Sequence, residues 1–271
     1  MPELPEVEIF RCNIQPHIEG QIISKVIIRA REMGGHSLKA LSRKLKGQKI
    51  DHVQRRGKYI LLFCSSGNII IYLGMTGYLR IIDNKSMSTK HDHVDFVFSQ
   101  GFSLRLNDRR RFGSIIWTKG NPYQYTPLQN LGPEPLSRYF TGSYLFNRSR
   151  GRKVSIKQFI MESSVVAGIG NIYASEILFE SRINPFIIAG TVSKKRYDRL
   201  SEVIKKVLRR SIRIGGTMLD SRKGVEKHGG YNQRIKVYGK TNQPCPICGT
   251  PIQQGTAGSR SVYYCKRCQK R

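Results

Sequence analysis

The chain has 271 residues and a formal net charge of +29, from 47 Lys and Arg against 18 Asp and Glu. A field of this size attracts polyanions, and nucleic acid is the partner that it favours. The basic residues are spread along the chain and no apolar run approaches a membrane span, so we expect no membrane association. The acidic N-terminus has neither a basic nor an apolar signal-peptide region, so we expect no signal peptide.

The first residues of the chain combine a possible nucleophile with a helix start. Pro2 in second place allows removal of the initiator Met, which leaves a secondary amine that titrates at about 7.7–8.0. Attack by such an amine on a sugar C1′ or an aldehyde gives an iminium ion, and Glu3 is adjacent as a general acid or base. The structural alternative is a helix with Pro5 in its first turn and Glu6 and Glu8 complementing its dipole.

A β-rich region runs from residue 21 to about residue 117. Its seven short runs of apolar and β-branched residues are separated by Gly, Asn and Asp, which predicts a sandwich or flattened barrel capped by the first helix. The runs are Ile22–Arg29, Lys49–Arg55, Tyr59–Cys64, Asn68–Leu73, Val94–Phe98, Phe102–Leu106 and Ser114–Trp117. In the sixth run, Ser103 and Arg105 alternate with apolar residues, which predicts one solvent-exposed face.

The second half of the chain has helical patterns. Asn171 can cap a helix that runs to about Ser181, and Ser193–Ile214 has one apolar face and ends at two glycines. We interpret most Lys and Arg side chains of this second helix as a solvated face. The polar stretch from residue 215 to residue 231 has no strong period and predicts a mobile loop.

Four of the six cysteines have metal-ligand spacing. Cys245-x2-Cys248-x16-Cys265-x2-Cys268 predicts one structural Zn²⁺ held by two turns of a β-hairpin. Four thiolates leave no open coordination position, so the zinc is not catalytic. Two disulfides are the alternative, which a reducing cytoplasm disfavours, and the isolated Cys12 and Cys64 are expected to be buried thiols.

Four separated motifs resemble those of bacterial formamidopyrimidine-DNA glycosylases, in the order found in that family. They are Pro2-Glu3-Leu4-Pro5-Glu6-Val7-Glu8, Leu73-Gly74-Met75-Thr76-Gly77, Gly168-Ile169-Gly170-Asn171-Ile172-Tyr173 and the cysteine pairs. The resemblance implies an α+β protein. Residues 1–120 would form a catalytic β-sandwich with an N-terminal helix, and residues 121–135 a linker. Residues 136–235 would form a helix-two-turn-helix domain with a lesion-capping loop, and residues 236–271 a four-cysteine zinc finger.

The resemblance also implies a chemistry. Such enzymes are bifunctional DNA glycosylases and abasic-site lyases of base excision repair, which remove 8-oxoguanine and formamidopyrimidines from double-stranded DNA. Pro2 would attack C1′, Glu3 would help open the sugar, and Lys58 and Arg260 would assist the β- and δ-eliminations. Because a guanidinium stays protonated, we favour phosphate positioning for Arg260. We expect a monomer in the cytoplasm, bound to the nucleoid through DNA.

The same resemblance assigns DNA contacts. Met75, Arg110 and Phe112 would fill the gap left by a flipped base, although Met75 and Phe112 also suit an apolar core. The other implied DNA-binding residues are His91, Arg152, Lys157 and Asn171, and Glu176 is expected to be a scaffold residue. A metal site at His91-Asp92-His93 is the alternative for that segment, but strand alternation places Asp92 on the opposite face.

Departures from the family pattern concern lesion choice. Arg109 stands where Pro is usual, and Tyr72 stands where His is common. The loop from residue 220 to residue 231 keeps its expected length but few of the usual residues. An endonuclease VIII-like enzyme for oxidised pyrimidines shares this fold and chemistry, and Leu4 argues against it because that branch usually has Gly there. A non-catalytic zinc-ribbon protein that binds nucleic acid would account for the charge and the cysteines alone.

Overall fold

The computed structural model describes residues 2–216 and 235–270, and the predicted loop from residue 220 to residue 231 lies outside them. The described chain forms two compact units, residues 2–129 in one and residues 130–216 with residues 235–270 in the other. Among the described residues, no helix is both long and apolar enough to cross a membrane.

The first unit contains two four-stranded antiparallel sheets. Its strands in chain order are β1 (Ile23–Ile28), β2 (Glu32–Met33), β3 (His36–Ser37), β4 (Ile50–Arg56), β5 (Tyr59–Cys64), β6 (Gly67–Tyr72), β7 (Gly77–Asp83), β8 (Asp92–Phe98), β9 (Phe102–Asp108) and β10 (Ser114–Thr118). One sheet has the order β1-β8-β9-β7 and the other β10-β6-β5-β4, while β2 and β3 form a short separate pair. The predicted α+β class with N-terminal sheets is confirmed.

Helix α1 (Leu4–Ile18) packs against the sandwich at β4, β5 and β7. Its buried residues recur with helical spacing and form one apolar face: Leu4, Val7, Phe10, Ile14 and Ile18. Two shorter helices complete the unit, α2 (Leu41–Leu45) and α3 (Thr126–Gln129). The prediction that Cys12 is buried is wrong, because it lies on the exposed side of α1, whereas Cys64 on β5 is buried as predicted.

Strand β7 was not predicted from the sequence, although its run Tyr78-Leu79-Arg80-Ile81-Ile82 has β-branched and aromatic character. It pairs with β9 along its whole length, with Leu79 opposite Leu106. This pairing makes β9 an inner strand of its sheet. Strand β9 therefore has a hydrogen-bonded neighbour on both sides, β8 and β7.

The prediction that β9 has a solvent-exposed face is wrong. Ser103 and Arg105 are each only 2% exposed. The Arg105 guanidinium donates to both carboxylate oxygens of Asp95 at 2.8 Å. It also donates to the carbonyl groups of Ser86 and Met87 in the loop between β7 and β8. This face of β9 is therefore covered by an ion pair and by that loop. Burial opposes ionisation of Asp95, but Arg105 and Arg29 still hold the pKa of this carboxyl below its usual range.

The second unit is helical with a terminal hairpin. Its elements are α4 (Gly142–Ser149), α5 (Ile156–Met161), α6 (Asn171–Glu180), α7 (Lys194–Arg213), β11 (Gln253–Ala257) and β12 (Arg260–Tyr264). Ser193 caps α7 by accepting from the backbone N–H of Arg196. At α6 the N-cap is Gly170, so Asn171 is the first helical residue and not the cap.

Candidate functional site

Pro2 lies just outside the first turn of α1. Glu3 is the N-cap residue, is fully buried, and donates its backbone N–H to Glu6 Oε2 at 2.9 Å. The helix start expected from Pro5 and Glu6 is therefore present. Because capping orders the backbone at Glu3, the nitrogen of Pro2 is held one residue away from the helix and beside the Glu3 peptide.

The turn that carries Lys58 is connected to α1 by charged hydrogen bonds. Gly57 turns the chain between β4 and β5 with a φ of +57°, which favours glycine. Arg55 donates from Nε to Glu8 Oε2 at 2.8 Å and from Nη1 to the Gly57 carbonyl at 2.9 Å. Sequence reasoning missed this link, since nothing in the spacing of Glu8 and Arg55 shows that their elements become neighbours.

Glu8 is suited to this bridging position because it is ionised. Burial raises the free energy of its carboxylate, but hydrogen bonds and charge from Arg11 and Arg55 hold its pKa below the usual value. It accepts from Arg11 Nη2 at 2.7 Å as well as from Arg55. These bonds hold α1, which follows Pro2 and Glu3, against the turn that carries Lys58.

Two loops at one end of the sandwich are hydrogen-bonded to each other, one carrying Met75 and the other Arg110 and Phe112. Thr76 Oγ1 donates to Asp108 Oδ1 at 2.5 Å and accepts from the backbone N–H of Arg110 at 3.0 Å. The Arg110 guanidinium lies over the Phe112 ring, 4.5 Å from its centroid. Phe112 is 50% exposed, so it is not a core residue.

His91 adjoins the same loops, since its carbonyl accepts from the backbone N–H of Asp108 at 3.0 Å. The two residues that follow it are buried and are used structurally. Asp92 accepts from Arg80 and Asn107, and His93 Nε2 lies 2.8 Å from the Asp108 carbonyl oxygen. Within the described ranges, the four cysteines are the only group of three or more candidate metal ligands, so the alternative metal site at this segment is not supported.

The departures from the family pattern lie at two places in the first unit. Arg109 is exposed in the loop that carries Arg110. Tyr72 ends β6, and its ring lies 5.1 Å from the Tyr59 ring on β5.

In the second unit, the Glu176 side chain binds the backbone of residues 236–238. Its carboxylate accepts three backbone N–H groups, from Lys236 at 2.8 Å and from Val237 and Tyr238 at 2.9 Å each. The side chain is fully buried, and this burial raises the pKa of Glu176 above its usual value despite the three donors. Glu176 is a scaffold residue, as the sequence predicts.

Replacement of Glu176 by Gln should lower the free energy of unfolding by about 1–3 kcal/mol, because one backbone donor then faces an amide NH₂ in a buried site. Urea unfolding of Glu176→Gln against the parent protein measures this. Glu202→Gln on the exposed side of α7 is the control and should change stability little. Equal stability of the Glu176→Gln variant and the parent would contradict the anchoring role.

The two basic residues near α5 differ in environment. Arg152 forms an ion pair with Glu162 and is partly exposed. Lys157 is 1% exposed, and its ammonium donates to Ser175 Oγ at 3.1 Å and to the Ser261 carbonyl at 2.6 Å. Lys157 therefore joins α5 and α6 to strand β12, next to the exposed Arg260 at the start of that strand. A DNA contact by Arg152 stays a prediction, and so does one by Lys157, whose ammonium lies inside the unit here.

Asn171 begins α6 directly after a glycine-containing turn, where helix N–H groups are not used within the helix. Its side-chain oxygen is buried and has no hydrogen-bond partner among the described residues. Such a position suits an anion at the N-terminus of the helix. Phosphate binding by Asn171 stays a prediction.

The four cysteines meet at the base of the hairpin formed by β11 and β12. The Sγ atoms of Cys245 and Cys268 are 3.8 Å apart, those of Cys248 and Cys265 are 3.5 Å apart, and all four lie within 4.8 Å of one another. A tetrahedral site with Zn–S bonds of about 2.3 Å requires sulfur separations of about 3.8 Å. A disulfide requires about 2.05 Å, so the disulfide alternative is wrong.

The ribbon around these cysteines is packed onto α6. Phe179 of α6 shares one small apolar core with Val237, Ile252 and the buried cysteines. The fully buried Gln269 accepts from the Cys265 N–H and donates to the Ile183 carbonyl, both at 2.9 Å. The cluster therefore holds the hairpin on the helical unit, and the residues present fit one structural zinc ion.

Three segments of the chain match known protein families. Residues 1–115 match the formamidopyrimidine-DNA glycosylase N-terminal domain, residues 131–223 the H2TH domain of the same enzyme, and residues 242–271 a zinc finger found in FPG and IleRS. Together they cover most of the sequence. The chain belongs to the formamidopyrimidine-DNA glycosylase family.

Relatives agree over the full length of the chain. It is 47% identical to the formamidopyrimidine-DNA glycosylase of Nitrosococcus oceani over 270 residues, which cover 99% of this chain and all of that one. It is 44% identical to that of Pseudomonas aeruginosa over 271 residues, with complete coverage of both. A Lactococcus lactis FPG mutant, solved with DNA containing Fapy-dG, matches with a TM-score of 0.94 at 29% identity and complete coverage of both chains.

Proposed function

We propose that this protein is a DNA glycosylase of base excision repair that removes oxidised purines from duplex DNA and then cuts the strand as an abasic-site lyase. The observation that carries the proposal is the placement of Pro2 at the capped start of α1, with the Lys58 turn fixed to the same helix through Glu8 and Arg55. Family membership supports the glycosylase activity. The lyase activity rests on the chemistry of a proline amine.

The first step is displacement of the damaged base. After removal of Met1, the Pro2 nitrogen attacks C1′, the bond from C1′ to the base breaks, and the base leaves with the electron pair and takes a proton. Opening of the sugar ring gives an iminium ion between Pro2 and C1′. Glu3, adjacent to this nitrogen, is placed to transfer protons to and from the sugar oxygen.

The iminium ion then accepts electrons from C2′. Loss of a C2′ proton expels the 3′ phosphate in β-elimination, loss of the C4′ proton expels the 5′ phosphate in δ-elimination, and addition of water to the remaining iminium ion frees Pro2 and releases the sugar remnant as an aldehyde. Lys58 assists the first elimination in this proposal. Arg260, exposed at the hairpin, holds a phosphate near the cut, because a guanidinium that stays protonated is a better anchor than a proton donor.

DNA binding in this proposal uses groups from both units. Met75, Arg110 and Phe112 fill the stack after the damaged nucleotide is flipped, and their shared position at the end of the sandwich supports that role. The remaining phosphate contacts are His91, Arg152 and Asn171. Lys157 acts by holding β12, through the Ser261 carbonyl, so that Arg260 next to it is kept in place.

The bound zinc would be held by Cys245, Cys248, Cys265 and Cys268 and supplies no acid–base or redox chemistry, because four thiolates close its coordination shell. The protein would act as a monomer on chromosomal DNA in the cytoplasm. Its charge of +29 supports a polyanionic partner.

The substrate class follows the solved relatives. Lactococcus lactis Fpg structures contain DNA with Fapy-dG, with an abasic site and, in one case, with an oxidised pyrimidine. Oxidised purines are therefore the proposed main substrates. The last of these structures favours oxidised pyrimidines as a second class for this chain too.

Incision of a panel of duplexes, each with one defined lesion, tests this assignment. We expect cutting at 8-oxoguanine, formamidopyrimidine and abasic sites, weaker cutting at oxidised pyrimidines, and none in undamaged duplex. Faster cutting at oxidised pyrimidines would support the endonuclease VIII-like alternative. Salt-sensitive binding without cutting of any lesion would support a non-catalytic nucleic-acid-binding protein.

A further inference from the structure

The outer face of α7 carries a row of five cationic side chains, with one carboxylate, Glu202, among them. Lys195, Arg199, Lys206, Arg209 and Arg213 are all exposed. Their spacing of four, seven, three and four residues places them on one side of the helix. At about 1.5 Å per residue the row is about 27 Å long. We call these five residues the α7 cationic row.

The row lies opposite the packed face of α7. The buried residues of the helix face α4 and α6: Tyr197, Leu200, Ile204, Val207 and Leu208. The α7 cationic row therefore points away from α6, which begins at Asn171. It is a different surface from the phosphate site proposed at the start of α6.

The charges of the row are not neutralised within the described part of the chain. Elsewhere on the same helix, Lys194 pairs with Asp198 at 2.9 Å and Arg210 pairs with Glu180. No described carboxylate forms an ion pair with a member of the row, and Glu202, on the same face, forms none either. With Glu202 counted, this face still carries a net charge of +4 (five cations less one carboxylate). Like charges three or four residues apart repel each other on a helix, so a bound polyanion relieves the remaining repulsion.

The shape of the surface suits an extended polyanion better than a small ligand. A shallow groove of about 520 Å³ runs along the helix, and its lining has five cations and one carboxylate: Arg199, Glu202, Val203, Lys206, Arg209, Arg210 and Arg213. Duplex DNA carries one negative charge per about 1.7 Å of its axis with both strands counted, so a duplex segment as long as the row carries roughly 16 charges, of which one side faces the row. Guanidinium groups, which make up three of the five cations, bind phosphate oxygens with two parallel hydrogen bonds.

We propose that the α7 cationic row binds a second segment of duplex DNA, separate from the segment that carries the lesion and without sequence preference. One protein molecule then holds two duplex segments at once, and can transfer between them during a search for damage. The proposal uses the proposed function only to identify the first segment as lesion DNA.

A charge-reversal variant with a matched control tests this. Arg199→Glu/Lys206→Glu/Arg213→Glu changes the row, and Arg43→Glu/Lys44→Glu/Lys46→Glu makes the same charge change at two exposed residues of α2 and the exposed residue that follows it. Energy transfer between a donor-labelled duplex with an abasic-site analogue and an acceptor-labelled undamaged duplex reports binding of both to one protein. The parent protein should bring the two labels together in a salt-dependent manner.

We expect the α7 variant to lose this signal and the α2 variant to keep it. The salt dependence of binding to undamaged duplex should flatten by up to about 2.7 in log–log slope for the α7 variant, as three phosphate contacts at roughly 0.9 each are lost. Single-turnover cutting of a short lesion duplex should be the same in all three proteins. Failure of the parent protein to cut would overturn the proposed function. The energy-transfer signal between the two duplexes would still test binding by the α7 cationic row.

Equal loss in the two variants would overturn the proposal, because net charge alone would then explain it. Retention of the signal by the α7 variant would overturn it as well. Stronger capture of a single-stranded RNA or an acidic peptide than of the second duplex would show that the partner is not duplex DNA. If the α7 charge reversal prevents folding, the triple Ala variant at the same positions gives the same comparison.

Discussion

Blocking the N-terminal amine is expected to abolish the covalent adduct between this protein and DNA that borohydride traps. Retention of Met1, or a short N-terminal tag, turns the Pro2 nitrogen into an amide, which has no nucleophilic lone pair. The helix start is expected to survive, because its cap is formed by Glu3 and Glu6 within the chain. Trapping on an abasic duplex, read as a mass shift on a denaturing gel, measures the effect.

A C-terminal tag of the same length is the control for this experiment and should leave the adduct unchanged. Full adduct formation after the N-terminal block would place the nucleophile elsewhere, and Lys58 would be the first residue to test. The first stretch of the chain would then serve only to begin α1. Intact-mass measurement of the purified protein confirms whether Met1 has been removed.

Glu3→Gln separates the two chemical steps. We expect base excision to slow by about 10²–10⁴-fold, the usual contribution of a positioned general acid or base, with a smaller effect on a preformed abasic site from which no base must leave. Single-turnover rates on an 8-oxoguanine duplex and on an abasic duplex give the comparison. Equal slowing on both substrates would assign Glu3 to a step that they share.

Loss of zinc should weaken DNA binding strongly. Cys248→Ser removes one of four ligands and should weaken binding to an abasic duplex by about tenfold or more, because the hairpin carrying Arg260 is held by the cysteines and by a small core shared with Phe179. Structural zinc sites stabilise such small domains by about 10–16 kcal/mol in isolated peptides, so the ribbon is expected to unfold. The amine of Pro2 should remain reactive when DNA is in excess.

Cys12→Ser is the matched control, since Cys12 is an exposed cysteine on α1 far from the cluster in sequence. It should keep one zinc per chain and the parent affinity, both measured on the purified protein by metal analysis and fluorescence anisotropy. Undiminished binding by metal-free protein would contradict the assignment of the hairpin as a DNA-contacting element.

Features determined by local chemistry were accessible from the sequence. The spacing of the cysteines alone defines a four-thiolate site, because each pair needs only a tight turn to bring two sulfurs together. The apolar period of α7 and the start of α1, with Pro5 in its first turn, depend on neighbouring residues in the same way. Most strands of the sandwich were visible as short apolar runs for the same reason.

Features that depend on which distant elements become neighbours were decided only by the tertiary structure. Arg105 alternates like an exposed residue, yet the pairing of β9 with β7 and β8 and the ion pair with Asp95 bury it. The burial of Lys157 is likewise not visible in its local sequence, because its ammonium is bonded to a carbonyl 104 residues further along the chain. Burial and hydrogen bonding are set by contacts between segments far apart in sequence, and no local pattern specifies them.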